Sequence, residues 1–342
     1  MLRFVLILVL LFGALYYGFT STRTGQDFLL ERFIAATMSA RAEPFDGLRV
    51  FMCGTSSPLP GPGRAQSCVA ISAGERLYIV DAGAGSTLTL NLGGVPMDQL
   101  KSVLLTHFHS DHIAAVGDIN LASWVAGRPE PLVVMGPTGV DRIVNAFNEL
   151  YALDRGYRVA HHGADLLPPA LGVMEPRTIR PGVVLDDGGL RITAFEVDHA
   201  PVEPSLGYRF DYRGRSVVVS GDSVATDTLI QAAQGADLLL HDAISLPIVR
   251  ALEQGARAAG RDRQAKILHD IQDYHASTDS LAAVASAANV RQLAVYHLVP
   301  PPRNFLMEKI FRRDLPWGTI VTEDGMTFDL PADEDSIRVR SP

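Results

Sequence analysis

The chain has 342 residues and a formal net charge of −8, with 38 Asp and Glu residues against 30 Lys and Arg residues. This length can bury a sizeable core, and the acidic balance argues against a general polyanion binder, because phosphate contacts rely on clustered Lys and Arg. Nucleic acid is therefore not expected as a partner, although a local basic groove is compatible with this net charge.

The N-terminal stretch differs in composition from the rest of the chain. Phe4–Phe19 is uncharged and almost wholly apolar, and its length lies between that of a signal-peptide core and that of a full membrane span. The residues directly after it contain no Ala-x-Ala cleavage site, which favours a retained anchor over a cleaved signal peptide or a buried helix. Arg3 favours a catalytic domain outside the cytoplasm, anchored to the membrane or secreted after cleavage. The predicted organisation is a membrane anchor or signal peptide at 1–22, a linker helix at 23–46 and a catalytic domain at 47–342.

Two cysteines, Cys53 and Cys68, flank a Gly- and Pro-rich loop between the first two predicted strands. In an exported protein they could pair, since neighbouring strands bring Cα atoms close enough. Buried free thiols are the alternative. No zinc-binding cysteine pattern is present, so cysteine does not carry the metal chemistry.

The first predicted strand, Leu48–Met52, leads into the Gly/Pro/Ser loop of residues 54–64. Such a loop would bring backbone amides and Arg64 close to a substrate anion, or it is a plain surface loop. A predicted hairpin follows and ends at Asp81, which either orients a ligand histidine or caps the next helix.

Three histidines and an aspartate lie within six residues after the short apolar strand Val103–Leu105. They are His107, His109, Asp111 and His112, and a predicted buried helix, Ile113–Ala126, follows them. Imidazole and carboxylate groups on one strand-to-helix turn suit zinc or a similar first-row ion.

Further polar residues recur where later predicted strands end. Leu190–Val197 is followed by Asp198-His199, the strand Ser216–Val219 precedes Asp222, and Val290–Tyr296 precedes His297. Active sites in layered α/β folds gather at such places, whereas structural residues have no reason to do so.

In chain order these motifs resemble the metallo-β-lactamase superfamily, whose hallmark is His-x-His-x-Asp-His after a strand. The resemblance implies an α/β fold, a four-layer αβ/βα sandwich, to which the N-terminal membrane helix would be added. The first loop is similar to that of the ribonuclease Z and arylsulfatase-like branch, with Ser56 in place of the second glycine. Ser56 and Arg64 are therefore predicted to contact the substrate.

The resemblance also implies a set of metal ligands. One Zn²⁺ would be held by His107, His109 and His199, and a second by Asp111, His112 and His297, with Asp222 bridging the two. Another first-row divalent metal could replace zinc. The two ions would lower the pKa of a bound water toward neutrality, and Asp111 would orient or deprotonate it.

In enzymes that look like ribonuclease Z, a histidine in a His-x-Ser/Thr motif, paired with a glutamate in His-Glu-Ala-Thr, protonates the leaving group. His275-Ala276-Ser277-Thr278 matches the first motif, and His241-Asp242-Ala243-Ile244 matches the second in part. Asp242 is one methylene shorter than glutamate, so the sequence does not decide whether it reaches His275. Alternatively, His275 lies at the start of a helix and has no role in proton transfer.

The predicted function is zinc-dependent hydrolysis of a small anionic ester, a phosphodiester or an aryl or alkyl sulfate, by metal-bound hydroxide. Lactone or β-lactam hydrolysis uses the same metal site and is an alternative. A tRNA 3′-end endonuclease of the ribonuclease Z type is disfavoured, because residues 200–221 hold one hairpin where that family has an arm that grips tRNA. A non-enzymatic metal-binding scaffold is the weakest alternative. A homodimer would be usual for the family, but the sequence itself does not indicate the oligomeric state.

Overall fold

The computed structural model describes residues 2–39 and 45–342. The chain divides into two units, Met1–Pro44 and Phe45–Pro342. In the first unit, helix α1 is Leu2–Ser21 and helix α2 is Arg23–Ser39. Residues 40–44 of the predicted linker lie outside the described residues.

The predicted membrane anchor at the N-terminus is not supported. Among the helices in the described parts of the chain, none is both long and apolar enough to cross a bilayer. Helix α1 forms where the anchor was predicted, but the finding gives it no membrane-spanning role.

Two β-sheets form the centre of the second unit. In the described chain the first sheet has the order β15-β14-β1-β2-β3-β4-β5-β6 and the second the order β13-β12-β11-β10-β9-β8-β7. The strands of the first sheet are β1 (Gly47–Gly54), β2 (Cys68–Ala73), β3 (Arg76–Val80), β4 (Leu100–Leu104), β5 (Val133–Gly136), β6 (Glu175–Thr178), β14 (Thr327–Pro331) and β15 (Arg338–Arg340). Those of the second are β7 (Gly182–Asp187), β8 (Leu190–Val197), β9 (Ser205–Tyr212), β10 (Arg215–Val219), β11 (Leu238–Ile244), β12 (Gln292–Val299) and β13 (Ile320–Val321).

Helices cover the outer faces of both sheets. In chain order they are α3 (Ser86–Leu92), α4 (Ser110–Ile113), α5 (Val116–Val125), α6 (Val140–Leu150), α7 (Ala152–His162), α8 (Asp227–Ala232), α9 (Leu246–Ala258), α10 (Asp262–Asp270), α11 (Leu281–Ala287) and α12 (Phe305–Arg312). Apolar residues of α3, α5 and α6 pack on the first sheet, and those of α8, α9, α11 and α12 pack on the second.

A third apolar cluster lies between the sheets. It joins side chains such as Val50 and Val69 of the first sheet to Tyr208, Phe210 and Tyr296 of the second. The central strands of both sheets therefore bury residues on both faces, and the result is the predicted αβ/βα layering.

The end of one strand differs from the sequence prediction. Strand β12 continues past Tyr296 to Val299. The pairing shifts register where Ala243 lies opposite Leu298, so His297 is an extra, bulged residue within β12. A bulge re-aims a side chain without ending the strand, which a simple periodic pattern does not reveal.

Cys53 and Cys68 form a disulfide that joins β1 to β2, so the structure selects the paired alternative. Both residues are fully buried, and the loop of residues 55–67 runs between them. The bond therefore closes the base of the loop that carries Ser56 and Arg64.

Candidate metal centre and active site

The first group of predicted ligands converges on one point. His107 Nε2 lies 2.9 Å from His109 Nδ1, which lies 3.4 Å from His199 Nε2. Asp222 Oδ2 lies 4.0 Å from His107 Nε2 and 3.8 Å from His199 Nε2. All four donor atoms lie within 4.8 Å of one another.

The second group lies directly beside the first. His297 Nε2 is 3.0 Å from Asp111 Oδ2, and His112 Nε2 is 3.4 Å from the same oxygen. Asp222 Oδ2 is 3.2 Å from His112 Nε2 and 3.3 Å from His297 Nε2. One carboxylate oxygen of Asp222 thus lies between both groups.

The backbone is specialised at the residues that place these donors. His297 has a φ of 43° at its bulge, in a region that residues other than glycine rarely adopt. Gly221, just before Asp222, has a φ of 67°, and a Cβ there would lie 2.8 Å from the Leu206 carbonyl oxygen. Only glycine meets both demands, so Gly221 fixes where Asp222 begins.

Neighbouring groups orient the histidine rings. His112 Nδ1 lies 2.8 Å from Asp81 Oδ2, and the Thr106 hydroxyl lies between Asp81 and His107 Nδ1. His199 Nδ1 lies 2.9 Å from the Tyr274 carbonyl oxygen. With each Nδ1 engaged, Nε2 faces the cluster. Asp81 therefore orients a histidine, and the alternative role of a helix cap does not apply.

Burial lowers the pKa of His107, His109 and His199, so these imidazoles are neutral at pH 7 and keep a lone pair for a metal ion. The Nε2 atoms of His107 and His199 face Asp222, and a neutral nitrogen donor beside a carboxylate is the ligand pair that zinc prefers.

The second group has the opposite electrostatics. Burial alone would lower the pKa of His112 and His297. The carboxylates of Asp222, Asp81 and Asp111 outweigh burial at His112, and those of Asp222 and Asp111 do so at His297, so both pKa values are raised. Burial would raise the pKa of Asp222, yet His112 and His297 hold it well below its usual range. The site is rich in negative charge, which a divalent cation can balance.

The donor set fits a metal ion. In the described residues, His112 Nε2 and Asp222 Oδ1 are buried without a hydrogen-bond partner, although buried polar atoms almost always have one. Ligands about 2.0–2.1 Å from a tetrahedral zinc lie roughly 3.3–3.4 Å apart. The donor separations given above run from 2.9 to 4.0 Å and include this value.

A histidine–carboxylate pair adjoins the cluster. His275 Nδ1 lies 2.8 Å from Asp242 Oδ2, so the shorter aspartate does reach the histidine. His241 Nδ1 lies 2.9 Å from Asp242 Oδ1 on the other side. Burial would raise the pKa of Asp242, but its contacts with His241 and His275 lower it, so the carboxylate is ionised. His275 and Asp242 also form a third donor group with Asp222 and His297.

The two predicted substrate contacts have partners within the protein. Arg64 Nη1 donates to the Thr55 hydroxyl and the Thr322 carbonyl, both at 2.6 Å. The buried Ser56 hydroxyl lies 3.1 Å from the carbonyls of Ser57 and Leu59. In this conformation both side chains hold the loop together, and their contact with substrate stays a prediction.

Sequence reasoning missed the part played by Tyr274. Its ring centroid lies 4.7 Å from those of both His199 and His275, and burial followed by the charges of Asp222 and Asp111 raises its pKa to about 12. The only available signal was its place directly before His275.

Comparison with known proteins gives one consistent family. The profile of the Metallo-beta-lactamase superfamily matches residues 61–258. A ribonuclease Z of Mycobacterium bovis (strain BCG / Pasteur 1173P2) is 39% identical over 256 residues, which cover 74% of this chain and 86% of the relative. The ribonuclease Z of Mycobacterium tuberculosis (strain ATCC 25618 / H37Rv) is 37% identical over the same shares of each chain.

A solved structure shows the same fold at low sequence identity. Human tRNase Z, short form, has a TM-score of 0.56 at 18% identity, covering 83% of this chain and 99% of that one.

Proposed function

Because the chain belongs to the metallo-beta-lactamase superfamily and is a metal-dependent hydrolase resembling ribonuclease Z, we propose that it hydrolyses phosphodiester bonds in RNA, as ribonuclease Z does. This reverses the order of substrates predicted from the sequence. The sequence predicted a small anionic ester as the leading substrate and did not predict nucleic acid. The relatives at 34–39% identity, however, are ribonucleases Z.

The observation that carries the proposal is the pair of His275 and Asp242 beside the donor cluster. An RNA phosphodiester has a poor leaving group, an alkoxide, which needs a proton as the bond to phosphorus breaks. The ring of His275 lies 5.3 Å from those of His199 and His297, so the pair adjoins the predicted ligands.

Two first-row divalent ions, with zinc the expected metal, would be held by the seven predicted ligands. These are His107, His109, His199, Asp111, His112, His297 and the shared Asp222. When bound, the ions would stabilise the negative charge that develops on the phosphate and make the attacking water more acidic.

The protein residues would then act as follows. Burial would raise the pKa of Asp111, but His112 and His297 hold it well below its usual range, so it is ionised and can accept a hydrogen bond from the attacking water. Asp242 would accept a hydrogen bond from Nδ1–H of His275 and so stabilise the protonated ring. His275 Nε2 would then donate its proton to the leaving oxygen.

A second candidate is a phosphodiester of a small molecule, such as a cyclic nucleotide. Residues 200–221 contain only β9, β10 and their short connections, so this stretch offers no arm to grip a folded RNA. The disulfide between Cys53 and Cys68 is also a bond that persists in oxidising compartments, where tRNA precursors are absent.

The test uses the full chain with zinc and a 5′-labelled tRNA precursor that carries a 3′ trailer. Bis-p-nitrophenyl phosphate, a cyclic nucleotide, p-nitrophenyl sulfate and nitrocefin are measured in parallel. Asp111→Ala serves as the control for contaminating nucleases, and Asp141→Asn, an exposed aspartate of α6, serves as the matched control.

Cleavage at one defined position in the precursor, lost in Asp111→Ala and kept in Asp141→Asn, is the expected result. Turnover of the cyclic nucleotide without RNA cleavage would select the second candidate. Turnover of nitrocefin or the sulfate alone would overturn both.

A further inference from the structure

Tyr274 lies in the segment that connects α10 to α11, and its side chain is only partly buried. Its ring is edge-on to His199, with an interplanar angle of 81°, and inclined by 50° to His275. The ring therefore borders both the first donor group and the predicted proton donor.

The side chain of Tyr274 is not needed for the contact that orients His199. That contact is made by the backbone carbonyl oxygen, which any residue would supply. Within the described ranges, the Tyr274 hydroxyl makes no hydrogen bond, so no polar bond fixes the ring to the protein. A partly exposed aromatic ring at a catalytic centre, without a structural polar partner, has its surface available to a substrate.

We propose that Tyr274 is the platform on which the base of the leaving nucleoside stacks. This inference rests on the proposed function and names the part of the substrate that the site recognises. Water adds to the phosphorus, the P–O3′ bond breaks, and His275 protonates the leaving O3′ of the nucleoside on the 5′ side of the cut. This oxygen must lie beside His275, and the nucleoside that carries it must then lie within reach of the neighbouring Tyr274 ring. Every base has a π-face, so such a platform would bind the nucleoside with little sequence preference.

The experiment compares two versions of the tRNA precursor with full-chain, zinc-loaded enzyme. One carries the normal nucleotide on the 5′ side of the mapped cleavage position, and the other carries an abasic nucleotide there. The protein variants are Tyr274→Leu, which removes the aromatic face, and Tyr274→Phe and Tyr274→Trp, which keep one.

Stacking of one base on an aromatic side chain is worth enough for a change of about tenfold or more in kcat/KM. We expect Tyr274→Leu to lose about tenfold on the normal precursor and less than about twofold on the abasic precursor. Tyr274→Phe and Tyr274→Trp should retain the wild-type preference for the normal precursor. The abasic substrate also serves as the folding control, because a damaged active site would lose activity on both.

Equal losses on both precursors, or no loss on either, would overturn the platform while leaving the RNA activity of the wild type in place. Failure of the wild type to cleave any precursor would instead overturn the proposed function, and the inference with it. The two failures are thus distinguishable in one set of measurements.

Discussion

Asp222 brings one carboxylate oxygen within 4.0 Å of the Nε2 atoms of four histidines. An oxygen in this position can serve ions in both donor groups, and its negative charge offsets part of theirs. Its second oxygen is buried without a partner in the described residues. The residue is therefore the one whose charge links the two groups.

Asp222→Asn should lower the metal content of the purified protein by half or more, because the amide keeps the size of the side chain but removes the shared negative charge. Inductively coupled plasma mass spectrometry measures metal per chain. Asp141→Asn removes an exposed carboxylate on α6 and should leave the metal content unchanged. Full loading of Asp222→Asn would refute the bridging role.

His275→Ala should slow cleavage of RNA about 10²-fold or more, the usual contribution of a general acid. Hydrolysis of bis-p-nitrophenyl phosphate should fall by less than about tenfold, because p-nitrophenolate leaves without a proton. Steady-state kinetics on both substrates gives the ratio. His269→Ala, an exposed histidine on α10, is the matched control. Equal losses of activity on the two esters would refute the proton-donor role.

At the scale of elements, the loop of residues 55–67 is fastened from several directions. The disulfide closes its base, and the Asp324 carboxylate accepts hydrogen bonds from the Thr55 backbone and hydroxyl and from the Ala65 backbone. Burial raises the pKa of Asp324, which these donors oppose. The loop thus depends on contacts made by residues far apart in sequence.

Replacing both cysteines, Cys53→Ala with Cys68→Ala, should destabilise the protein by about 2–4 kcal/mol, because the unfolded chain gains the freedom that the closed loop had lost. Thermal unfolding of the double variant and of the wild type measures the change. Thiol titration of the denatured, unreduced wild type should find no free thiol. Two free thiols would show that the bond is not formed.

At the scale of the whole molecule, the predicted ligands come from both sheets. His107 and His112 lie just after β4 of the first sheet. In the second sheet, His199 and Asp222 follow β8 and β10, and His297 is the bulged residue within β12. Bound ions would therefore join the two halves of the sandwich, and the free energy of binding would add to that of folding.

Removal of metal by a chelator should lower the melting temperature by about 5–10 °C, since ligand at a hundredfold excess over its Kd contributes about 2.7 kcal/mol and a large domain shifts about 2–4 °C per kcal/mol. Differential scanning calorimetry with metal analysis measures both quantities. Added zinc should restore the original value. An unchanged melting temperature in metal-free protein would contradict an ion that bridges the sheets.

The sequence predicts features that adjacent residues encode better than features that depend on contacts between strands. The cluster from His107 to His112 was apparent because its residues are adjacent and follow an apolar strand. Strand β12 was predicted to end at Tyr296, because periodicity cannot reveal a bulge that depends on pairing with β11. The membrane anchor was predicted from an apolar run and the lack of a cleavage site after it, and the structure does not support it.

The sequence by itself determined that His and Asp residues follow apolar strands, because hydrophobic periodicity and the chemistry of His and Asp are local properties. The order of layers and the assignment of the metal donors were predicted from the resemblance to the metallo-β-lactamase superfamily. Only the tertiary structure decided that Asp242 reaches His275, that Cys53 pairs with Cys68, and that Tyr274 borders the site. Each of these contacts joins segments whose separation in space depends on the packing and register of whole strands, which local patterns do not encode.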